Sequence, residues 1–356
     1  MRIIAIANQK GGCGKTTTAV NLAACLAVNN RRVLLIDMDP QAHATIGLNV
    51  SADLSIYNVL SRLTDRKVKL TDVIVTVSSN LHLVPSGIVL STLEQELSGQ
   101  IGRESCLADT LKEYSLKYDY ILVDCPPNLG ILTVNAIRAS SELIIPTEAS
   151  RFSLEGIDQL IEIIDLIRER LSHHIQYNVL VTSFDSRLAH SFDILRKIKE
   201  RFSDNLFKTI IHVNVKLKEA QNQGKHILDY NKYCRGAKDY YSLSREIITQ
   251  EEMFSTMKEE IKEILKEKLP RFMDVVFSLA APEAGEVYVT GDFNQWQLND
   301  RNKMELTEGR WVKVMQLKPG NYKYRFVIDG QWRQDPANPS YQVNPFGSLD
   351  SLLEVK

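Results

Sequence analysis

The chain has 356 residues, enough for two domains and a sizeable core, and its 44% apolar and 24% charged residues are the ordinary balance of a water-soluble protein. A net charge of −1 excludes a chain that is polybasic or polyacidic throughout. Five cysteines (13, 25, 106, 125 and 234) form no Cys-x-x-Cys pair and seven histidines show no ligand spacing, which fits a reducing cytoplasm better than a disulfide framework or a zinc site.

The apolar run Ile3-Ile4-Ala5-Ile6-Ala7 predicts a strand over 2–7 that leads into Lys10-Gly11-Gly12-Cys13-Gly14-Lys15-Thr16-Thr17. Glycines at this spacing let backbone N–H groups curl around phosphate oxygens. Lys15 brings a point charge to the outer phosphates, and the Thr16 hydroxyl is a ligand for Mg²⁺. A helix over 16–29 aims its N-terminal dipole at the same anion. Lys10 is a second cation that the general pattern does not need. The opening apolar run is too short for a secretory leader. No stretch approaches the roughly 18 apolar residues of a membrane span, so no membrane partner is expected.

Further strands are predicted at 32–37, 81–84, 119–124, 142–146, 177–182 and 207–211, and helices at 105–117, 154–171 and 191–202. Continuous Val/Ile/Leu strands are those buried on both faces. Residues 1–248 therefore read as an α/β P-loop domain with a mostly parallel sheet flanked by helices. Two strands, Leu34-Leu35-Ile36-Asp37-Met38-Asp39-Pro40 and Ile121-Leu122-Val123-Asp124, end in carboxylates. Ligands of open parallel sheets bind beyond the carboxyl ends of the strands, so both would face one crevice. Asp124 would sit beside Thr16 and hold Mg²⁺ through water.

From 187 to 245, thirteen lysines and arginines stand against six acids. Clustered cations of this kind bind nucleic-acid phosphates regardless of sequence. Arg187, Lys216, Lys218 and Lys225 are the candidate DNA contacts, with Arg196, Lys197, Lys199 and Arg201 adding charge. An ordinary solvated basic face fits the same residues.

Met253, Phe254, Met257, Ile261, Ile264, Leu265 and Leu269 form one stripe at helical spacing, with Glu259–Lys262 and Glu263–Lys266 on the other face and Pro270 as a stop. Residues 249–270 are thus predicted to be a helical linker that packs on the first domain or spaces two domains. From Phe272 the period becomes two, at Val275–Leu279, Glu286–Thr290, Arg310–Leu317 and Tyr322–Ile328, with turns at Pro319-Gly320 and Asp329-Gly330. This predicts an all-β immunoglobulin-like sandwich over 271–356. Trp296 and Trp332 follow turn-like segments, where an indole can stack on a sugar ring, whereas Trp311 lies inside an alternating strand and is read as core.

The runs Ala7-Asn8-Gln9-Lys10 through Thr18, Asp37-Met38-Asp39-Pro40-Gln41 and Asp124-Cys125-Pro126-Pro127 resemble the ParA/MinD family of deviant-Walker ATPases. The likeness is greatest to the chromosome- and plasmid-partitioning ParA proteins. It covers residues 1–248, with Thr209–Gly224 as counterpart of the family's late loop and helix. The resemblance implies an ATPase that uses ATP and Mg²⁺ and forms a homodimer around two ATP molecules. Lys10 would be the signature lysine that reaches the partner's nucleotide. Gly11, Gly12, Cys13 and Gly14 would cradle the phosphates, Lys15 the β- and γ-phosphates, Thr16 the metal and Thr17 the α-phosphate. Asp39 matches the hydrolytic aspartate that orients water. Asp37 would assist near the metal or support Asp39, or instead cap the next helix. Gly130 would sense the γ-phosphate through its N–H. The ATP dimer would bind DNA non-specifically, associate with the nucleoid and answer to a ParB-like or other activating protein. Lys216 aligns with a basic position of the late motif. The chain departs from the pattern with His212-Val213-Asn214 for Pro-Arg-Asn and Glu219-Ala220-Gln221 for Glu-Ala-Pro, so one expected arginine is missing.

The runs Gly291-Asp292-Phe293-Asn294-Gln295-Trp296, Tyr322 through Trp332, and Asp335-Pro336 resemble the glycogen-binding module of the AMP-activated protein kinase β subunit, carbohydrate-binding module family 48. The resemblance implies that Trp296 and Trp332 stack on α-glucan. It places Arg325 where the family has a sugar-binding lysine and Asp350 where an asparagine often contacts glucan. Together the two likenesses imply a dimerising ATPase that binds DNA and positions glycogen or a glycogen-bound complex. Two alternatives fit the same residues: a partitioning ATPase whose β module is a protein-interaction domain, and a glucan-sensing regulatory ATPase.

Overall fold

The computed structural model describes residues 1–113, 117–150, 153–171, 173–268 and 272–356. It divides into two compact units, Met1–Met253 and Phe254–Lys356.

In the first unit the strands are β1 Arg2–Ile6, β2 Val33–Asp37, β3 Val75–Ser78, β4 Leu81–Val84, β5 Tyr120–Asp124, β6 Glu142–Glu148 and β7 Gln176–Thr182. Among the described residues they form one sheet in the order β3-β4-β2-β5-β1-β6-β7. Every pairing is parallel except β3 with β4. Strands β2 and β5 are buried at every position, because both sheet faces are covered and their side chains are apolar up to the aspartate that ends each strand. The helices are α1 Lys15–Val28, α2 His43–Gly47, α3 Ile56–Leu60, α4 Leu93–Glu96, α5 Cys106–Glu113, α6 Ile131–Ala139, α7 Ser153–Leu171, α8 Ala189–Phe202, α9 Val215–Asn222, α10 Ile227–Asn231 and α11 Arg235–Lys268. Residues from α5, α6, α7 and α8 build the core on one face of the sheet. Residues from α1, α9, α10 and the start of α11 build it on the other.

Two expectations shift, and a third falls partly outside the described residues. The expected strand 207–211 is not a ladder strand. It runs beside β7, with Phe207 N–H donating to Val179 O (3.0 Å) and Ile211 N–H to Val181 O (2.9 Å). Between these bonds the N–H groups of Lys208 and Thr209 turn instead to the Glu246 carboxylate (2.7 and 3.0 Å), which breaks the ladder. The expected continuation of α5 to 117 falls partly on 114–116, outside the described residues. The expected linker at 249 is no separate element: α11 runs unbroken from the core of the first unit.

The first half of α11 buries Ala237, Tyr240, Leu243, Ile247 and Ile248. It is fastened at the amino ends of the strands, where Arg2 Nη1 donates to Ile247 O (2.8 Å) and pairs through Nη2 with Glu142 (2.6 Å), and Tyr120 donates its hydroxyl to Glu251. Beyond that point Met253, Phe254, Met257 and Ile261 are all exposed. The side chains of Ile264 and Leu265 lie outside the described part of the stripe. Leu269 and Pro270 lie outside the described residues.

In the second unit the strands are β8 Met273–Leu279, β9 Val287–Gly291, β10 Glu305–Thr307, β11 Arg310–Leu317, β12 Gly320–Ile328, β13 Gln331–Arg333, β14 Tyr341–Val343 and β15 Leu349–Val355. They form two antiparallel sheets, β10-β11-β8 and β13-β12-β15-β14 with β9 also on β12. Phe277, Val289, Phe326 and Trp311 fill the core. Trp311 is 7% exposed and donates its indole N–H to Ala281 O (2.9 Å), the internal role expected for it. Asp329 and Gly330 both have positive φ (48° and 82°), the two-residue turn that a tight hairpin requires.

Candidate nucleotide and carbohydrate sites

The phosphate loop is shaped by its glycines. Gly12 (φ 79°) and Gly14 (φ 87°, the N-cap of α1) adopt left-handed backbone that a side chain would disfavour. The loop is pinned at both ends. The Thr182 hydroxyl on β7 donates to Cys13 O (2.8 Å), and Lys15 Nζ donates to Lys10 O (3.0 Å). Cys13 is fully buried and burial raises its thiol pKa, so it is an inert wall of the loop.

Gly12, Gly14 and Thr17 line a cavity of about 420 Å³ together with Glu148, Asn214, Lys218 and Tyr240. Its size and its position at the start of α1 suit a nucleotide.

The parallel register places Ile6, Asp124 and Asp37 side by side at the carboxyl ends of β1, β5 and β2. Asp37 is fully buried. Its carboxylate accepts from Asp39 N–H (3.1 Å), Thr45 N–H (2.9 Å) and the Thr45 hydroxyl (2.7 Å). Two of these donors lie in the first turn of α2, so the capping alternative describes what Asp37 does. Burial raises its pKa to about 6 against the pull of those hydrogen bonds.

Asp124 is equally buried, and neither carboxylate oxygen has a hydrogen-bond partner. Burial pushes its pKa well up and the Asp37 charge adds to this. The Thr16 hydroxyl is close enough to pull it partly back, though not in good hydrogen-bonding geometry. Two orphaned carboxylate oxygens beside a threonine hydroxyl are an all-oxygen donor set that fits a hard divalent cation.

Asp39 follows at the crevice rim, 6% exposed, with Oδ1 accepting from Gln41 N–H (2.9 Å). Gly130 is the N-cap of α6, but it does not face open space: the Glu94 carboxyl packs where a Cβ would be.

Lys10 is the other half of the arrangement. Its Nζ pairs with Glu148 Oε2 (2.8 Å) and donates to Ser150 Oγ (3.2 Å). Sequence reasoning missed Glu148, which nothing local marks as a partner of the loop.

The four candidate DNA contacts do not behave alike. Arg187 is exposed but held by Asp185 (2.6 Å), whose pKa its guanidinium pulls down to about 2. Lys216 pairs with Glu219 (2.8 Å) and lies over the Tyr230 ring. Lys218 and Lys225 are exposed and make no ion pair among the described residues. Lys218 borders the nucleotide cavity, and Lys225 lines a crevice with Thr16, Thr17 and His43. Asn214, in the departing His-Val-Asn run, caps α9 by accepting from Lys216 N–H (2.9 Å).

In the second unit Trp296 and Trp332 come together, with ring centroids 6.1 Å apart and planes inclined by 36°. Trp332 is 41% exposed. Trp296 is held in left-handed backbone (φ 60°), and its indole N–H donates to Asp292 Oδ1 (3.1 Å). Arg325 lies over the Trp332 ring at 5.9 Å and donates to Trp332 O (3.0 Å). Asp350 differs from expectation. It is 6% exposed, accepts from Asn344 Nδ2 (3.0 Å) and stands behind Arg325 at 3.9 Å, so it supports the platform from beneath. The arrangement is an aromatic surface with one cationic donor at its edge, suited to a neutral ring with hydroxyls.

Comparison with known proteins matches both units to known families. Residues 1–177 match the family model described as an AAA domain, and residues 273–356 match the glycogen recognition site of AMP-activated protein kinase. The chain is 42% identical over 251 residues to the sporulation initiation inhibitor protein Soj of Bacillus subtilis, covering 69% of this chain and 98% of that protein. It is 40% identical over 254 residues to the chromosome partitioning protein ParA of Myxococcus xanthus, covering 70% and 89%. Among solved structures, an ATP complex of a McdA variant from Cyanothece superposes with a TM-score of 0.62 at 25% identity, covering 69% and 96%.

Proposed function

The chain belongs to the ParA/Soj family of chromosome-partitioning ATPases and carries a C-terminal glycogen-recognition module, and from that premise we propose that it is an ATP-switched positioning protein whose cargo is an α-glucan such as glycogen, or a complex bound to it. The enzyme hydrolyses ATP to ADP and phosphate.

Lys15 binds the β- and γ-phosphates and Thr17 the α-phosphate, with the glycine-loop N–H groups around them. Thr16 and Asp124 are the residues that would hold Mg²⁺, which supplies charge neutralisation on the phosphates. Asp39 orients the attacking water. Asp37, fixed by Thr45 and bonded to Asp39 N–H, keeps that aspartate's backbone in place. Lys10 reaches the nucleotide of a second copy, so two copies join when ATP is bound and separate after cleavage. The joined copies hold DNA through the basic residues around Lys218 and Lys225, in the cytoplasm on the nucleoid. A ParB-like or other activating protein sets the timing of release.

The observation that carries the glucan assignment is the Trp296–Trp332 pair with Arg325 over its edge, in the same chain as an ATP site. Co-sedimentation of the full chain with glycogen tests it. The parent protein is expected to pellet with glycogen and a Trp296→Ala/Trp332→Ala variant to stay in solution. Equal pelleting, or none by the parent, overturns the glucan cargo.

A further inference from the structure

We propose that Glu148 is a positioning residue that keeps Lys10 turned into its own subunit, and so sets how readily two ATP-bound copies join. The proposal rests on Lys10 being the cross-subunit lysine.

Both ends of the pair sit on elements locked to each other. Glu148 ends β6, which is hydrogen-bonded to β1 on one side and β7 on the other, with Glu148 opposite Thr182. Asn8 ties the start of the phosphate loop to the same strand. Its Nδ2 donates to Pro146 O (2.7 Å), and its Oδ1 accepts from Lys10 N–H (3.0 Å). The Lys10 backbone therefore cannot drift from β6, and the ammonium leaves Glu148 only by rotating its own side chain. Within the subunit it has two acceptors, Glu148 Oε2 at 2.8 Å and Ser150 Oγ at 3.2 Å, and one is charged. Crossing to a second copy costs both bonds.

Glu148 also borders the cavity formed by Gly12, Gly14 and Thr17. A triphosphate placed there puts negative charge near the Glu148 carboxylate and competes with it for Lys10. Charge on the nucleotide thus loosens the pair as it creates the partner's binding site for the lysine. The two side chains are 38% and 31% exposed, so the pair is weak enough to open and strong enough to bias the equilibrium.

Light scattering on the full chain in an Asp39→Ala background, which blocks turnover, tests this by titrating protein concentration at saturating ATP and Mg²⁺. Glu148→Gln is expected to form dimers at about two- to fivefold lower protein concentration, the range of a partly exposed ion pair. Glu148→Asp is expected to lie between the two. Equilibrium dialysis with ADP in a Lys10→Ala background reads nucleotide affinity without dimerisation, and there Glu148→Gln is expected to change ADP affinity by less than about twofold. A gain as large as the shift in the dimerisation midpoint would place the effect on nucleotide binding and overturn the role. If the parent dimerises and Glu148→Gln leaves the midpoint unchanged or raises it, Glu148 has no such role. If the parent never dimerises, the cross-subunit reading of Lys10 falls and this proposal falls with it.

Discussion

Asp37 and Asp124 are register partners on adjacent parallel strands, both fully buried, yet Asp37 accepts three hydrogen bonds while Asp124 accepts none. The difference separates their roles. The satisfied carboxylate fits the structural role proposed for it, and the unsatisfied one fits the proposed cation site, because the protein itself leaves its desolvation unbalanced.

Removing that carboxylate should uncouple metal from nucleotide. In thermal melts with ADP, adding Mg²⁺ is expected to stabilise the parent further. Ligand at a hundred times its Kd contributes about 2.7 kcal/mol, or about 5–11 °C in a domain of this size. Asp124→Asn should melt at the same temperature with and without Mg²⁺. A full Mg²⁺ response in that variant would move the metal elsewhere.

Asp37 predicts a pH dependence whose sign is fixed. Its folded pKa of about 6 lies above the ordinary value of 3.8, so the folded protein binds this proton more tightly than the unfolded chain. The associated stability is fully present below about pH 4 and is lost as pH rises through 6, of the order of 2–3 kcal/mol. Urea melts of nucleotide-stripped protein between pH 4.5 and 7 should show a steeper loss in the parent than in Asp37→Asn. Parallel curves would contradict the buried, proton-holding carboxylate.

The two kinds of tryptophan should part cleanly. Trp311→Ala removes a core side chain and is expected to cost about 3–5 kcal/mol in denaturant melts. Trp332→Ala, at an exposed position, should cost under about 1 kcal/mol and weaken glycogen binding about tenfold. A Trp332 variant that unfolds the module would make this indole structural.

Gly291 begins the Gly-Asp-Phe-Asn run, and a Cβ there would run into the Lys323 carbonyl oxygen on β12. Gly291→Ala is therefore expected to destabilise the module by about 1–3 kcal/mol and to displace Trp296 with it. Intrinsic fluorescence during urea unfolding measures this, and an unchanged midpoint would show that β9 and β12 can part without cost.

Ion pairing ranks the candidate DNA contacts. Each lost phosphate contact lowers the slope of log K against log salt by about 0.9. Lys218→Ala should show about that change in the ATP-bound protein, and Arg187→Ala, already held by Asp185, should show less. Salt titrations on DNA read both slopes, and a larger effect at Arg187 would place the interface on the β7–α8 loop.

Much of this was legible in the sequence because it is local. The glycine spacing before Lys15, the apolar strands ending in Asp37 and Asp124, and the order of motifs around Trp296 and Trp332 each lie within a dozen residues. What was missed depends on partners far away in the chain. Glu148 meets Lys10 across 138 positions, and no periodicity marks that. The run 207–211 reads as a strand until Glu246 takes two of its N–H groups. The change of pattern at 249 looked like a boundary, but it marks where α11 leaves its core, not where the helix begins. Short polar strands such as β13 and β14 carry too few residues for a period to show.

One capture experiment addresses both the ATP switch and the glucan platform proposed for this chain. Full-length Asp39→Ala protein is loaded on glycogen, and labelled double-stranded DNA is passed over it with ATP and Mg²⁺, with ADP and Mg²⁺, or without nucleotide. The DNA is expected to stay on the glycogen with ATP only, and to be lost when Lys10 or the Trp296–Trp332 pair is replaced by alanine. DNA retained equally under all three conditions, or under none, would contradict an ATP-controlled bridge between the two polymers.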